Sequence, residues 1–356
     1  MSATKKEYII GTRKSKLAMV QTYEVKGKLE KLHPELTFKI HEQDTLGDKV
    51  LDVALSKIGD KGVFTQELEQ GLHTGAIDFA VHSLKDLPTR LPEGMMLGCV
   101  LKRVDPADVV LVRSDLRENG FTSLKELNDS KDPKHWLIGT SSLRRQAQIQ
   151  ALYPNLKCID IRGNLDTRIK KLERHAATIE EVFENAASAT PSKTPAPLPS
   201  ADAVEYAAII LARAGLQRQG EKYVSLITQS LDSDIDMYYA VGQGALGIEC
   251  REGDEDVLKI LAPLYHDQTA LRTKSERAFL RRLEGGCHAP IGVSSSLSSD
   301  GNEITLKGRV LSLDGSVSVQ GQVSGAAQNA EALGTELAET LLSKGADKIM
   351  ESLAKK

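Results

Sequence analysis

The chain moves between two hydrophobic rhythms. Short apolar runs at 8–10, 78–81, 108–112 and 207–211 have the length of buried strands. Between them, apolar residues recur at helical spacing, as with Leu17, Val20, Val25, Leu29 and Leu32 over 16–32. The opening therefore predicts strand 8–10, a polar turn 11–15, helix 16–32 and strand 37–41. A second unit repeats this order, with strand 136–138, turn and N-cap 139–142, a helix from 143 to about Tyr153 and strand 158–161. Helix is also expected over 64–72, from the Ser123–Glu126 capping-box spacing, and from the turn 214–218. From about Thr269 the texture changes. A charged helix 271–283 precedes strand-like runs 291–297, 304–311 and 316–323, split by the turns 299–302 and 314–315, and a last helix spans 330–354. That end reads as a small α+β domain with a three-stranded antiparallel sheet, following α/β units. The stretch 186–203 carries Pro191, Pro195, Pro197 and Pro199 among Ala, Ser and Thr, and reads as a disordered insertion.

Composition narrows the picture. With 356 residues the chain has material for two or three domains. A net charge of −3 argues against a nucleic-acid partner, which favours a basic face. The N-terminal stretch lacks the apolar core of a secretory signal and no run approaches membrane-spanning length, so no membrane and a cytoplasmic location are expected. Cys99, Cys158, Cys250 and Cys287 form no close pair, and no two His stand at metal-ligand spacing, so neither disulfides nor a protein-built metal site is expected.

The candidate chemistry lies at strand ends. Pro88 stops the strand that begins near Asp78, leaving Ser83, Lys85 and Asp86 where ligands gather in open α/β sheets. A neighbouring Lys and Asp there can hold an anion and handle a proton, or be a solvated surface pair. Arg13, Arg144, Arg145, Arg162, Arg168 and Arg218 all fall at expected strand ends or helix starts. Arg bonds carboxylates and phosphates in a two-pronged way and keeps its charge, so the set points to a polyanionic ligand bound between two lobes. Ser15 and Ser142 stand at helix N-termini, which favour anions. The segment 57–62, with two Gly and two Lys, reads as a mobile loop. Gly242, Gly244 and Gly247 match a dinucleotide-binding spacing, but a strand rather than a helix is expected after them, which favours a tight crossover instead. Cys287 lies on a loop between a Gly pair and Pro290, and from the residues alone a structural and a covalent role stay equally open.

These segments, in this order, resemble the porphobilinogen deaminase (hydroxymethylbilane synthase) family over nearly the whole chain. The match runs through 11–18, 57–64, 81–88, 139–145, 161–168, 214–218, 240–247 and 284–287. The resemblance implies a transferase that condenses four porphobilinogen molecules into the linear tetrapyrrole hydroxymethylbilane, releasing ammonia, in haem biosynthesis. It implies a dipyrromethane cofactor joined by a thioether to Cys287, and Asp86 as the catalytic carboxylate that stabilises the cationic azafulvene formed when ammonia leaves. Cofactor contacts fall on Ser83, Lys85, Ser142, Arg144, Arg145, Arg162, Arg168 and Arg218, and substrate contacts on Arg13, Ser15, Arg162 and Arg168. The 57–64 loop, with Lys57, Lys61 and Phe64, corresponds to a lid. The family fold implies two lobes like periplasmic binding proteins, with mixed sheets. Their ranges are 1–103 with 239–264 (the catalytic lobe) and 104–238 (the anion-binding lobe), followed by a cofactor-attachment domain at 265–356. It further implies a monomer that passes its product to uroporphyrinogen-III synthase.

Overall fold

The computed structural model describes residues 6–44, 65–131, 136–174, 204–283 and 289–354. The 57–64 loop with Lys57, Lys61 and Phe64, the 186–203 stretch and Cys287 lie outside the described residues. In chain order the strands are β1 (Glu7–Arg13), β2 (Thr37–Gln43), β3 (Phe79–Ser83), β4 (Met95–Val100), β5 (Asp108–Val112), β6 (Leu137–Gly139), β7 (Lys157–Ile159), β8 (Tyr206–Ala212), β9 (Gln229–Leu231), β10 (Leu246–Arg251), β11 (Ile291–Leu297), β12 (Glu303–Leu311) and β13 (Ser318–Ala326). The chain divides into two compact units. Met1–Pro106, Tyr239–Val310 and Val319–Lys356 form the first, and Ala107–Tyr238 with Leu311–Ser318 the second.

The first unit holds a five-stranded sheet in the order β2-β1-β3-β10-β4. β1 runs parallel to β2 and β3, while β10 runs antiparallel to β3 and β4. The helix Lys16–Leu32 makes the parallel β1–β2 crossover, and it starts where the Ser15 hydroxyl accepts from the Ala18 N–H at 3.4 Å. Its Val25 and Leu29 pack with Tyr8, Ile10, Phe38 and Phe79 in one core. No helix opens at Gly242, Gly244 and Gly247 as a dinucleotide site needs; β10 follows Gly244 and contains Gly247. Gly242 and Gly244 take φ of 72° and 87°, and a Cβ on Gly244 would lie 2.6 Å from the Val104 carbonyl oxygen. The same unit contains the antiparallel sheet β11-β12-β13, with Phe279 of the helix Asp267–Arg282 and Leu337 of the helix Ala330–Leu341 in its core. The last helix departs from expectation. Gly345 adopts φ 103° and breaks it into Ala330–Leu341 and Asp347–Ala354. The third strand is also displaced, beginning at Ser318 because Asp314 and Ser312 tie 312–317 into a hydrogen-bonded turn.

The second unit repeats the first sheet's logic in the order β7-β6-β8-β5-β9. β6 is parallel to β7 and β8, and β5 is antiparallel to β8 and β9. Val109, Leu111, Ile209 and Leu211 fill one face, and Val110, Val112, Ala208 and Ile210 the other, as runs buried on both faces require. The expected α/β architecture with mixed sheets and a small antiparallel sheet is therefore present.

Candidate active site

In the first unit, β3 runs two residues beyond the expected strand, and one 3₁₀ turn, Leu84–Asp86, follows it. Leu84 and Leu87 are buried and anchor the turn, and Leu84 N–H donates to the Ala245 carbonyl at 3.0 Å. From behind, the buried Arg277 donates to the carbonyls of Leu87 at 2.9 Å and Pro88 at 2.6 Å. Burial, then the nearby Arg281, pull the pKa of the Arg277 guanidinium down to about 10. Asp86 itself is half-buried, and among the described residues its carboxylate has no hydrogen-bond or ion-pair partner. A carboxylate so placed is available to a cation or to N–H donors of a ligand. Ser83 exchanges hydrogen bonds with the Gln21 amide at 2.8 and 3.2 Å, which fixes the end of β3 against the helix Lys16–Leu32. Arg13 ends β1, Ser15 caps the following helix, and Lys85 shares the turn with Asp86.

In the second unit the helix Leu143–Leu152 opens after Ser142, whose side chain makes no capping bond. Arg144 and Arg145 lie in its first turn and are buried. Both reach one carboxylate: Arg144 Nη1 is 2.7 Å from Asp108 Oδ2, and Arg145 Nη2 is 2.8 Å from Oδ1. Burial alone would raise the Asp108 carboxyl, but the two guanidiniums reverse this and hold it well below the usual carboxylate range. Arg168, in the helix Leu165–Leu172, donates from Nε to the Gly163 carbonyl at 2.8 Å. Burial, and then repulsion from Arg145 and Arg162, lower it to about 10. Positive charge thus exceeds negative here. Arg218 departs from its expected place at a helix start: it sits in the last turn of Arg213–Gln219, because that helix begins at Arg213 directly on the end of β8.

Sequence reasoning missed Asp108, Gln21 and Arg277 as parts of these sites. Asp108 had one signal, a charge at the head of an apolar run that must be paired once buried. The donor set suits a ligand with several carboxylates. The Nε groups of Arg144 and Arg145 are buried without a hydrogen-bond partner among the described residues, so donors remain after Asp108 is served.

The α/β fold, with buried arginines at a helix start in one unit and the Asp86 carboxylate beyond a strand end in the other, fits the class of enzymes that act on polycarboxylate ligands. The chain belongs to the porphobilinogen deaminase family. The family model "porphobilinogen deaminase, dipyromethane cofactor binding domain" matches residues 8–187 and 193–259, and that for the C-terminal domain matches 270–343. A porphobilinogen deaminase of Synechococcus elongatus is 46% identical over 344 residues, covering 97% of this chain and 94% of its own. That of a Nostoc species is 44% identical over 353 residues, covering 99% and 96%. Among solved structures, the periplasmic aliphatic sulphonate binding protein SsuA of Escherichia coli aligns with 78% of this chain and 71% of its own at 13% identity, with a TM-score of 0.33. The chain is a hydroxymethylbilane synthase of tetrapyrrole biosynthesis, a transferase that carries a dipyrromethane cofactor. No helix of the described residues is long and apolar enough to cross a membrane.

Proposed function

We propose that Asp86 is the catalytic carboxylate of this deaminase and that the arginines of the second unit hold the carboxylate arms of the pyrrole chain. The observation that carries the reading is the Asp86 side chain, fixed by a turn clamped from behind yet left without a protein partner among the described residues. Asp86 accepts from the pyrrole N–H of porphobilinogen and stabilises the cation left when ammonia departs, where a dry surrounding strengthens the pairing. Lys85 and Ser83 orient the ring beside it, and Arg13 and Ser15 bind its carboxylates. Arg144, Arg145, Arg162, Arg168, Arg218 and Ser142 bind the acetate and propionate arms of the cofactor and growing chain. The dipyrromethane, attached through Cys287, supplies the pyrrole terminus from which the tetrapyrrole grows. The roles of Cys287, and of Lys57, Lys61 and Phe64, rest on sequence resemblance alone. The same resemblance supports the division 1–103 with 239–264, 104–238 and 265–356, a cytoplasmic monomer, and delivery of the product to uroporphyrinogen-III synthase.

The test is Asp86→Asn, which keeps size and removes charge. Turnover of porphobilinogen is expected to fall about 10²–10³-fold, with the circular dichroism spectrum and thermal midpoint unchanged. Turnover within twofold of the parent would overturn the assignment.

A further inference from the structure

Asp108 is the first residue of β5, and its backbone is flanked by β8 on one side, opposite Ala212, and by β9 on the other, opposite Leu231. It is fully buried and cannot turn to solvent. Each carboxylate oxygen accepts from one guanidinium. Both guanidiniums are tied again: Arg145 Nη1 donates to the Ile210 carbonyl at 2.7 Å, and Arg144 Nη1, the nitrogen that also reaches Asp108, donates to the Tyr238 carbonyl at 2.6 Å. Tyr238 is itself fixed, since its N–H donates to Gln148 Oε1 at 2.8 Å and its carbonyl accepts from Gln148 Nε2 at 3.0 Å.

Two adjacent buried cations repel one another, and without Asp108 each would swing away. One carboxylate, however, neutralises only one of the two. A pairing meant only to hold the fold would match charge for charge and use every donor, whereas here a positive charge and two buried Nε–H groups are left over.

We infer that Asp108 is a positioning residue for the polycarboxylate ligand. It grips Arg144 and Arg145 together from one side and so sets in advance the donors and the surplus charge that receive the ligand's carboxylates. The inference rests on the reading of those two arginines as carboxylate binders and names what makes them competent.

The experiment incubates apoenzyme with increasing porphobilinogen and follows the mass gain of the attached cofactor by intact mass spectrometry. The concentration giving half-maximal loading does not depend on what fraction of the sample is folded, so a merely structural role would leave it unmoved. Asp108→Asn should raise it about 10- to 100-fold, as loss of preset geometry does. Arg145→Lys keeps the charge and loses the fork, and serves as the control for the underlying reading. If Arg145→Lys leaves half-maximal loading unchanged, the arginines do not bind the ligand and both readings fall. If Arg145→Lys raises it and folded Asp108→Asn does not, only the positioning role falls. Should Asp108→Asn not fold, Asp108→Glu retains the charge but displaces both guanidiniums, and an intermediate rise is expected. An unchanged value for folded Asp108→Glu, or failure of both variants to fold, overturns the inference.

Discussion

Two buried ion clusters built from the same residue types differ in one respect that separates architecture from function. In the first unit, Arg103 meets Glu276 in a two-pronged pair at 2.5 and 3.1 Å. The remaining capacity is used up: Gly242 N–H donates to Glu276 Oε2 at 2.8 Å, the Ser295 hydroxyl donates to Oε1 at 2.6 Å, and Arg103 Nε donates to the Gln243 carbonyl at 2.7 Å. The guanidinium also lies 4.7 Å from the Tyr239 ring centroid. Arg272 joins only through Ser295 and the Tyr239 hydroxyl, so the direct pair is one charge to one charge and every Arg103 nitrogen is engaged. In the second unit one carboxylate serves two arginines, further arginines stand near, and buried donors stay unused. The desolvation cost of burying charge is met internally in the first case. In the second it is met only in part, as the proposed carboxylate-binding role requires. Counting donors and acceptors, more than counting arginines, separates the two clusters.

The contrast breaks most sharply at Glu276. Glu276→Gln should cost about 3–5 kcal/mol of stability in urea unfolding, because it strands the buried Arg103. It should leave half-maximal cofactor loading of the folded protein where it was; a shift there would mean that the closed cluster also serves the ligand. The open cluster should respond to a ligand instead. Citrate at 100 times its dissociation constant should stabilise the wild-type protein by about 2.7 kcal/mol. Added salt should weaken the effect, and Arg168→Leu, compared against its own ligand-free midpoint, should remove most of it. A thermal midpoint insensitive to citrate would erase the distinction. The smallest effect is shared by both clusters. Asp108 and Glu276 are each held below their ordinary values by their arginines, against the opposing effect of burial. Their stabilisation is complete above pH 5. It declines as pH falls through about 4, where the unfolded chain takes up protons before the folded one, by up to about 1.4 kcal/mol per pH unit for each group. Unfolding free energies between pH 5 and 3 should show this limb, shallower in Glu276→Gln; an identical slope in the variant would detach Glu276 from it.

The fold was legible wherever one local rule sufficed. Ser15 and the spacing from Leu17 to Leu32 define the helix Lys16–Leu32 without tertiary help. The run 291–297 is likewise the strand it reads as. The 330–354 helix was misread because a lone Gly345 inside a helical pattern looks the same whether tolerated or turned to positive φ. The candidate site residues could be singled out where they are neighbours in sequence, as in 81–88 and 139–145. Their supporting partners could not. Arg144 lies 36 residues from Asp108 and Arg277 lies 189 from Pro88, so only the folded chain brings them together. What the sequence offered instead was a charged residue standing where an apolar one was due.

The strand order has a consequence for synthesis. β10 lies between β3 and β4, yet the ribosome delivers it only after all of 107–238 has been made. At ordinary elongation rates the nascent first sheet waits roughly 10 s with β3 and β4 unpaired to each other and their apolar edges open. The five strands of the second sheet, by contrast, emerge without interruption from another unit. The later-encoded sheet is thus the first able to close, and the turn that carries Asp86, just beyond β3, gains its support only when Leu246–Arg251 emerges to zip the older strands together.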